Sequence, residues 1–159
     1  MTEAPMKLVH VTRSGTFHLP AAPERVFEFF SPEGERDWAP GWSPEYLHPA
    51  DGRLQPGMVF RTAAGDEPTL WLLLRYDAAT FEAQYVRIVP DSRLGTVTVR
   101  CSADGEEKTA VTVTYELTAL SEAGNRALAS LSPSAYEEML GDWQTSIARL
   151  LPAGGADHC

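Results

Sequence analysis

The chain is poor in basic residues, in cysteine and in long apolar runs, and each shortage removes a class of function. Lys and Arg number 13 against 22 Asp and Glu, a formal net charge of −9. Phosphate backbones are held by basic patches, so nucleic acid is not an expected partner. The same deficit argues against an anionic membrane surface. Only Cys101 and Cys159 are present, and Cys159 is the last residue. A structural disulfide is therefore not expected, and two cysteines alone make no zinc site. The longest apolar run, residues 70–74, is strand-sized, far short of the ~20 residues a spanning helix needs, so no stable membrane insertion is expected. The opening MTEAPMKLVH has no basic start followed by an apolar stretch. No secretory leader is expected, and a reducing cytoplasm is the expected compartment.

Catalytic motifs are also missing. There is no H-E-x-x-H, C-x-x-C, phosphate loop or G-x-S-x-G. The histidines are His10, His18, His48 and His158. His10 and His18 share a strand face but sit about 26 Å apart at roughly 3.3 Å per residue, too far to share a metal. No cofactor and no metal site are expected. Asp37, Glu45, Asp66 and Glu67 read as solvated loop acids.

What is present alternates in a definite order. With 159 residues and 43% hydrophobic content, one folded domain over residues 1–151 is expected, followed by a disordered tail at 152–159. Val9, Val11, Phe17 and Leu19 share one phase of a first strand over residues 7–19, opposite His10, Thr12, Ser14, Thr16 and His18. Pro23 suits the first turn of a short helix carrying Val26, Phe27 and Phe30. Ser31-Pro32-Glu33 reads as a second short helix start. Strand patterns then follow one another from Met58 onward, separated by Asp77-Ala78-Ala79-Thr80, by Pro90-Asp91-Ser92 and by Asp104-Gly105. Such short connections predict antiparallel hairpins. Tyr136, Met139, Leu140, Trp143, Ile147, Leu150 and Leu151 fall at helical spacing and predict a long closing helix. That helix starts at Ser132-Pro133 or already near Glu122.

The expected fold class is α+β: a curved antiparallel sheet of about six or seven strands wrapped around a long C-terminal helix, with two short helices after the first strand. This order resembles the START-like helix-grip superfamily, also called SRPBCC. The resemblance rests on FHLPAAPERVFEFFSPEGE, the W-x-x-x-W of Trp38 and Trp42, PGMVFRT, LWLLLRYD, FEAQYVRIVPDSRLGTVTV, TAVTVTYELTAL and AYEEMLGDWQTSIARLL. It spans residues 7–151. What it implies is a cavity between sheet and helix, not a catalytic motif. Members include lipid carriers, polyketide cyclases and dehydratases, ligand-binding pathogenesis-related proteins and co-chaperone activators.

Tyr85 and Tyr115 fall in the inward phase of their strands, Met139 and Trp143 on the apolar helix face, and Phe60 on a short strand. Trp71 lies in a continuous apolar run that leaves its facing open. Individually such residues are more often core than wall; collectively they suit a ligand with aromatic or lipid-like character. Arg87 shares a phase with Ala83 and Tyr85. Either it points inward and requires an anionic partner, or it reaches water at the strand end while Val86 and Ile88 are buried, the commoner outcome. Arg13 poses the same alternatives. In the Pro- and Gly-rich stretch over residues 35–49, Trp38 is expected to pack under the short helices. Trp42 is expected to form a cavity rim, its N–H reaching solvent or ligand.

The expected binding set is thus Trp42, Phe60, Trp71, Tyr85, Arg87, Tyr115, Met139 and Trp143. It fits a carrier or sensor for a hydrophobic small molecule, or an enzyme of the polyketide cyclase/dehydratase type working with acid–base groups such as His48, Tyr85, Arg87 and Tyr115. A co-chaperone-like activator is a third possibility. An enzyme would differ from a carrier by a titratable side chain desolvated inside the cavity. The sequence fixes neither the ligand nor the oligomeric state.

Overall fold

The computed structural model of the chain describes residues 7–64 and 67–152. Strand β1, His10–Leu19, is followed by a single-turn helix α1, Pro23–Val26, and by two 3-10 turns, Phe27–Phe30 and Gly34–Asp37. Six strands come next: β2 Glu45–His48, β3 Val59–Ala64, β4 Glu67–Asp77, β5 Glu82–Val89, β6 Arg93–Ala103 and β7 Thr109–Ala119. Helices α2, Glu122–Ala129, and α3, Pro133–Ala148, close the chain. The strands form one antiparallel sheet in the order β1-β7-β6-β5-β4-β3-β2. Every neighbour except β1 with β7 is sequential, so hairpins build the sheet and one long return closes it.

The turns are made by the residues that suit them. Asp77 accepts backbone hydrogen bonds from Ala79 (2.9 Å) and Thr80 (3.3 Å), an Asx turn that ends β4. Gly105 takes φ 103° between β6 and β7, in the region that glycine enters without strain.

The core lies between the concave face of the sheet and the helices. Phe17, Leu19, Leu73, Val99, Val111 and Val113 meet Tyr136, Leu140 and Ile147 of α3 there. Gly15 of β1 lets α3 settle onto the sheet, because a Cβ at that position would meet Leu140 Cδ1 at 2.7 Å. Tyr136 adds a polar tie, its hydroxyl donating to the Val113 carbonyl at 2.6 Å.

Several boundaries differ from the sequence reading. The closing helix is two helices, each with its own cap: Ser121 Oγ accepts from Gly124 N (3.1 Å) and Ser132 Oγ from Ala135 N (3.1 Å). The stretch expected to be loop through Pro49 ends in β2, because Glu45 pairs with Arg61 at the sheet edge. The second short helix starts at Gly34 rather than at Ser31-Pro32; Ser31 Oγ accepts from Gly34 N at 2.9 Å in the turn that leads into it. Glu45 and Glu67 are exposed, as expected, but lie in strands rather than loops and are ion-paired to Arg61 and Arg93. The expected tail from 153 onward, Cys159 and Asp66 lie outside the described residues.

Candidate ligand-binding cavity

Between the sheet, α3 and the loop that follows the second 3-10 turn lies a cavity of about 300 Å³. The sheet supplies Trp71 from β4, Tyr85 and Arg87 from β5 and Tyr115 from β7; α3 supplies Met139 and Trp143. The short turns and their loop supply Phe30, Glu35, Trp38 and Trp42. Strand alternation accounts for the sheet wall. Trp71 pairs with Arg87 and Tyr85 with Leu73 across β4 and β5, so all four share the concave face.

Most polar tips on this wall are already committed to the backbone. The indole N–H of Trp38 donates to Phe29 O (2.8 Å) and that of Trp42 to Pro32 O (2.7 Å). Trp71 donates to Thr62 Oγ1 (3.0 Å), and the Tyr85 hydroxyl donates to Phe30 O (2.6 Å). These residues therefore show the cavity their ring faces. The rings also brace one another. Trp42 meets Trp71 edge-on at 5.6 Å, Trp38 meets Trp143 at 5.3 Å, and Tyr115 meets Tyr136 at 5.6 Å. Offset and edge-on contacts of this kind add stiffness beyond simple burial.

Among the described residues, three ionisable groups on the wall have no hydrogen-bond partner, and the Trp143 indole N–H has none either. Among the described residues, the Arg87 guanidinium has no hydrogen-bond or ion-pair partner; it lies over the Trp71 ring with Cζ 5.7 Å from the centroid. Burial lowers its pKa, which is the signature of a desolvated cation. The Tyr115 hydroxyl is free, and burial pushes it up to about 12. The Glu35 carboxyl has no donor, and burial alone raises it to about 8. Tyr115 feels both charges: Arg87 lowers its pKa and Glu35 raises it.

The structure brings seven of the eight expected residues to the cavity wall: Trp42, Trp71, Tyr85, Arg87, Tyr115, Met139 and Trp143. Phe60 is the exception. It is fully buried, with its ring stacked behind Trp71 at 6.0 Å, so it supports the wall without forming it. Trp71 faces inward. Arg87 also points inward, against the commoner outcome, because the phase of β5 is set by Ala83 and Tyr85, while Val86 and Ile88 lie half-buried on the convex face. Arg13 satisfies itself instead on backbone carbonyls, with Nε donating to Leu131 O at 2.9 Å. The Trp42 N–H does not reach solvent or ligand; Pro32 takes it. His48 is exposed on the edge strand β2 and is not part of the wall.

Glu35 and Trp38 are among the wall residues that sequence reading did not assign to the cavity. Their i, i+3 spacing was the available signal, since in a 3-10 turn such residues eclipse one another. Gly34 sets their placement. A Cβ there would meet Glu28 O at 2.0 Å and Phe29 Cα at 2.9 Å. Gly34→Ala is therefore expected to cost about 1–3 kcal/mol and to displace Glu35 and Trp38 together, seen as a lower thermal midpoint and altered near-ultraviolet circular dichroism.

No family model matches the chain, and no curated protein does. Solved structures do. Norcoclaurine synthase from Thalictrum flavum superposes with TM-score 0.66 at 13% identity, over 94% of this chain and 95% of that one. Its complex with dopamine and hydroxybenzaldehyde gives TM-score 0.65 at 12% identity, over 96% and 97%. Ginseng major latex-like protein 151 from Panax ginseng gives TM-score 0.66 at 13% identity, over 90% and 99%. At such identities the likeness establishes the fold alone, a curved antiparallel sheet gripping a C-terminal helix. No described helix is long and apolar enough to cross a membrane.

Proposed function

We propose that this chain is a cytoplasmic carrier or sensor that binds a hydrophobic, aromatic small molecule in the cavity between sheet and C-terminal helix, with Arg87 receiving the ligand's anionic group. One observation carries the reading: a guanidinium without a partner, held over an indole in a cavity walled by aromatic rings. A half-buried cation against an aromatic wall is poorly hydrated, and an anionic ligand supplies the counter-charge it lacks among the described residues. The volume narrows the class. About 300 Å³ is at the lower end of ligand pockets. At an interior packing density of ~0.75 it holds roughly 12 non-hydrogen atoms, the size of a one- or two-ring aromatic acid. Norcoclaurine synthase, which shares the fold, has been solved with two single-ring aromatics, a precedent of matching ligand size.

Native mass spectrometry of the chain isolated from its own cells tests this directly. A copurifying organic acid of one or two rings is the expected result. A bound species of lipid or sterol mass contradicts it.

Glu35 supports a second reading, an enzyme of the cyclase/dehydratase type. A carboxyl desolvated in the cavity and raised to about 8 is the kind of group that exchanges protons near neutral pH. Single-turnover conversion of an aromatic or polyketide-like acid, lost in Glu35→Gln with binding retained, is the result that favours the enzyme.

A further inference from the structure

The run over residues 70–74 is apolar on both faces of β4, and the cavity uses only one of them. Trp71 and Leu73 face inward. Leu70, Leu72 and Leu74 face outward, on the convex side of the sheet. Leu74 sits in the bulge between Leu73 and Arg75 and is 44% exposed. Strand register carries the apolar character across four strands. Val59, Leu72 and Val86 form one row over β3, β4 and β5. Leu70, Ile88 and Leu94 form the next over β4, β5 and β6. Cross-strand neighbours stand about 5 Å apart and successive rows about 7 Å apart, so these side chains make one continuous patch. No described helix covers it, because the helices pack on the concave face.

The other half of the same face shows that the fold does not ask for such a patch. Over β7 and β1 the outward positions carry hydroxyls: Ser14 meets Thr114 at 3.0 Å and Thr16 meets Thr112 at 2.9 Å. Thr96 and Thr98 of β6 continue that pattern. A sheet face that meets only water reads like this half. A contiguous group of outward Leu, Val and Ile, with Leu94 38% exposed, marks a surface that something covers.

Charge identifies the occupant. The patch is closed at two ends by ion pairs of both signs. Beside Leu70, Arg61 donates twice to Glu45, at 2.7 and 3.0 Å. At the far end Glu82 lies between Arg75, at 3.1 Å, and Arg100, with Asp77 3.7 Å from Arg75. Three cations balance three anions there, so the patch and its rim are neutral in a chain of formal charge −9. Two copies repel wherever their acidic surfaces meet, and over this face they do not. A basic partner is drawn to the acidic remainder of the surface instead, and an anionic lipid surface is repelled by it.

We propose that the outer face of β3 to β6 is the interface of a homodimer, in which two copies pack sheet against sheet about a two-fold axis, with Leu72 and Val86 central and the ion pairs as rim. One patch that serves both copies is what a two-fold axis requires, and an apolar centre with a polar rim is the usual anatomy of such a contact. Size sets the strength. A residue on one face of a sheet occupies about 33 Å², so the patch and its rim have a footprint of roughly 400 Å² per copy, about half that of a standard interface. The dimer is therefore reversible and concentration-dependent. The cavity lies on the concave side, so each copy keeps its own free.

Sedimentation velocity of the full chain from about 5 to 500 µM tests this. A monomer–dimer equilibrium with a midpoint of about 10–100 µM is expected. Leu74→Lys combined with Leu94→Lys alters only exposed side chains. Its circular dichroism is expected to match the wild type and its dimer to be at least tenfold weaker. Thr112→Lys combined with Thr114→Lys adds the same two charges to the polar half of the face, and is expected to dimerise at least as well as the wild type. A wild type that is monomeric at every concentration overturns the proposal, and so does equal weakening in the two doubly substituted proteins. Salt near 1 M screens the acidic repulsion and is expected to strengthen the wild-type dimer; a dimer that salt dissolves contradicts an apolar centre.

Discussion

Trp38→Ala is expected to cost about 3–5 kcal/mol, the range for removing a fully packed aromatic. Three losses combine. The indole is 7% exposed, so nearly all its apolar area returns to water as cavity surface. Its edge contacts with Phe30 at 5.8 Å and Trp143 at 5.3 Å vanish, unlocking the helix side of the cavity from the short-helix side. The Phe29 carbonyl, which now accepts from the indole at 2.8 Å, is left without its donor. For a chain of this length each kcal/mol lowers the melting midpoint by roughly 2–4 °C, so a drop near 10 °C is expected. Trp42→Ala is expected to cost less, because Trp42 is only half-buried, and to act chiefly by opening the mouth of the cavity beside Trp71. Differential scanning calorimetry of the two variants distinguishes them. A Trp42→Ala protein less stable than Trp38→Ala would reverse the roles assigned here.

Much of this was legible in the sequence, for a physical reason. Period-two alternation in β7 and β1 and the helical spacing from Tyr136 to Ile147 report burial directly, and burial is what the fold is built from. The same alternation placed Tyr85 and Tyr115 on the concave face. Legibility failed where periodicity is absent or contested. In β4, residues 70–74 are apolar on both faces, so the facing of Trp71 depended on its pairing with Arg87. Phe60 shares its face with Trp71, and only packing shows that it stands behind that ring. Glu35 lies in a short 3-10 turn, where local spacing carries little weight and the close approach of Gly34 to Glu28 decides the direction. Nothing in the local sequence singled Glu35 out; tertiary structure places it on the cavity wall.

The largest functional effect is expected from Arg87→Met. Methionine keeps a flexible apolar stem against Trp71 and removes the guanidinium. Because Arg87 has no partner among the described residues, its loss leaves no stranded counter-charge. Stability is therefore expected to hold or to rise by about 1 kcal/mol. Affinity for an aromatic anion is expected to fall 10- to 100-fold, since a hydrogen bond to a charged group contributes about 1.5–3 kcal/mol. A neutral frame of similar size, 2-naphthalenemethanol, is expected to bind the two proteins alike. Stability conserved and anion binding lost is the pattern of a residue kept for its ligand. Stability lost along with binding would mark Arg87 as a structural ion.

The central claim is that an aromatic anion enters the cavity and is held by Arg87. Isothermal titration calorimetry with 2-naphthoate at pH 6.5, on the wild type and on Arg87→Met, tests it most directly. The expected result is one site per chain in the wild type, with affinity 10- to 100-fold weaker in the variant. Equal affinity in the two proteins, or no binding to the wild type, would contradict it.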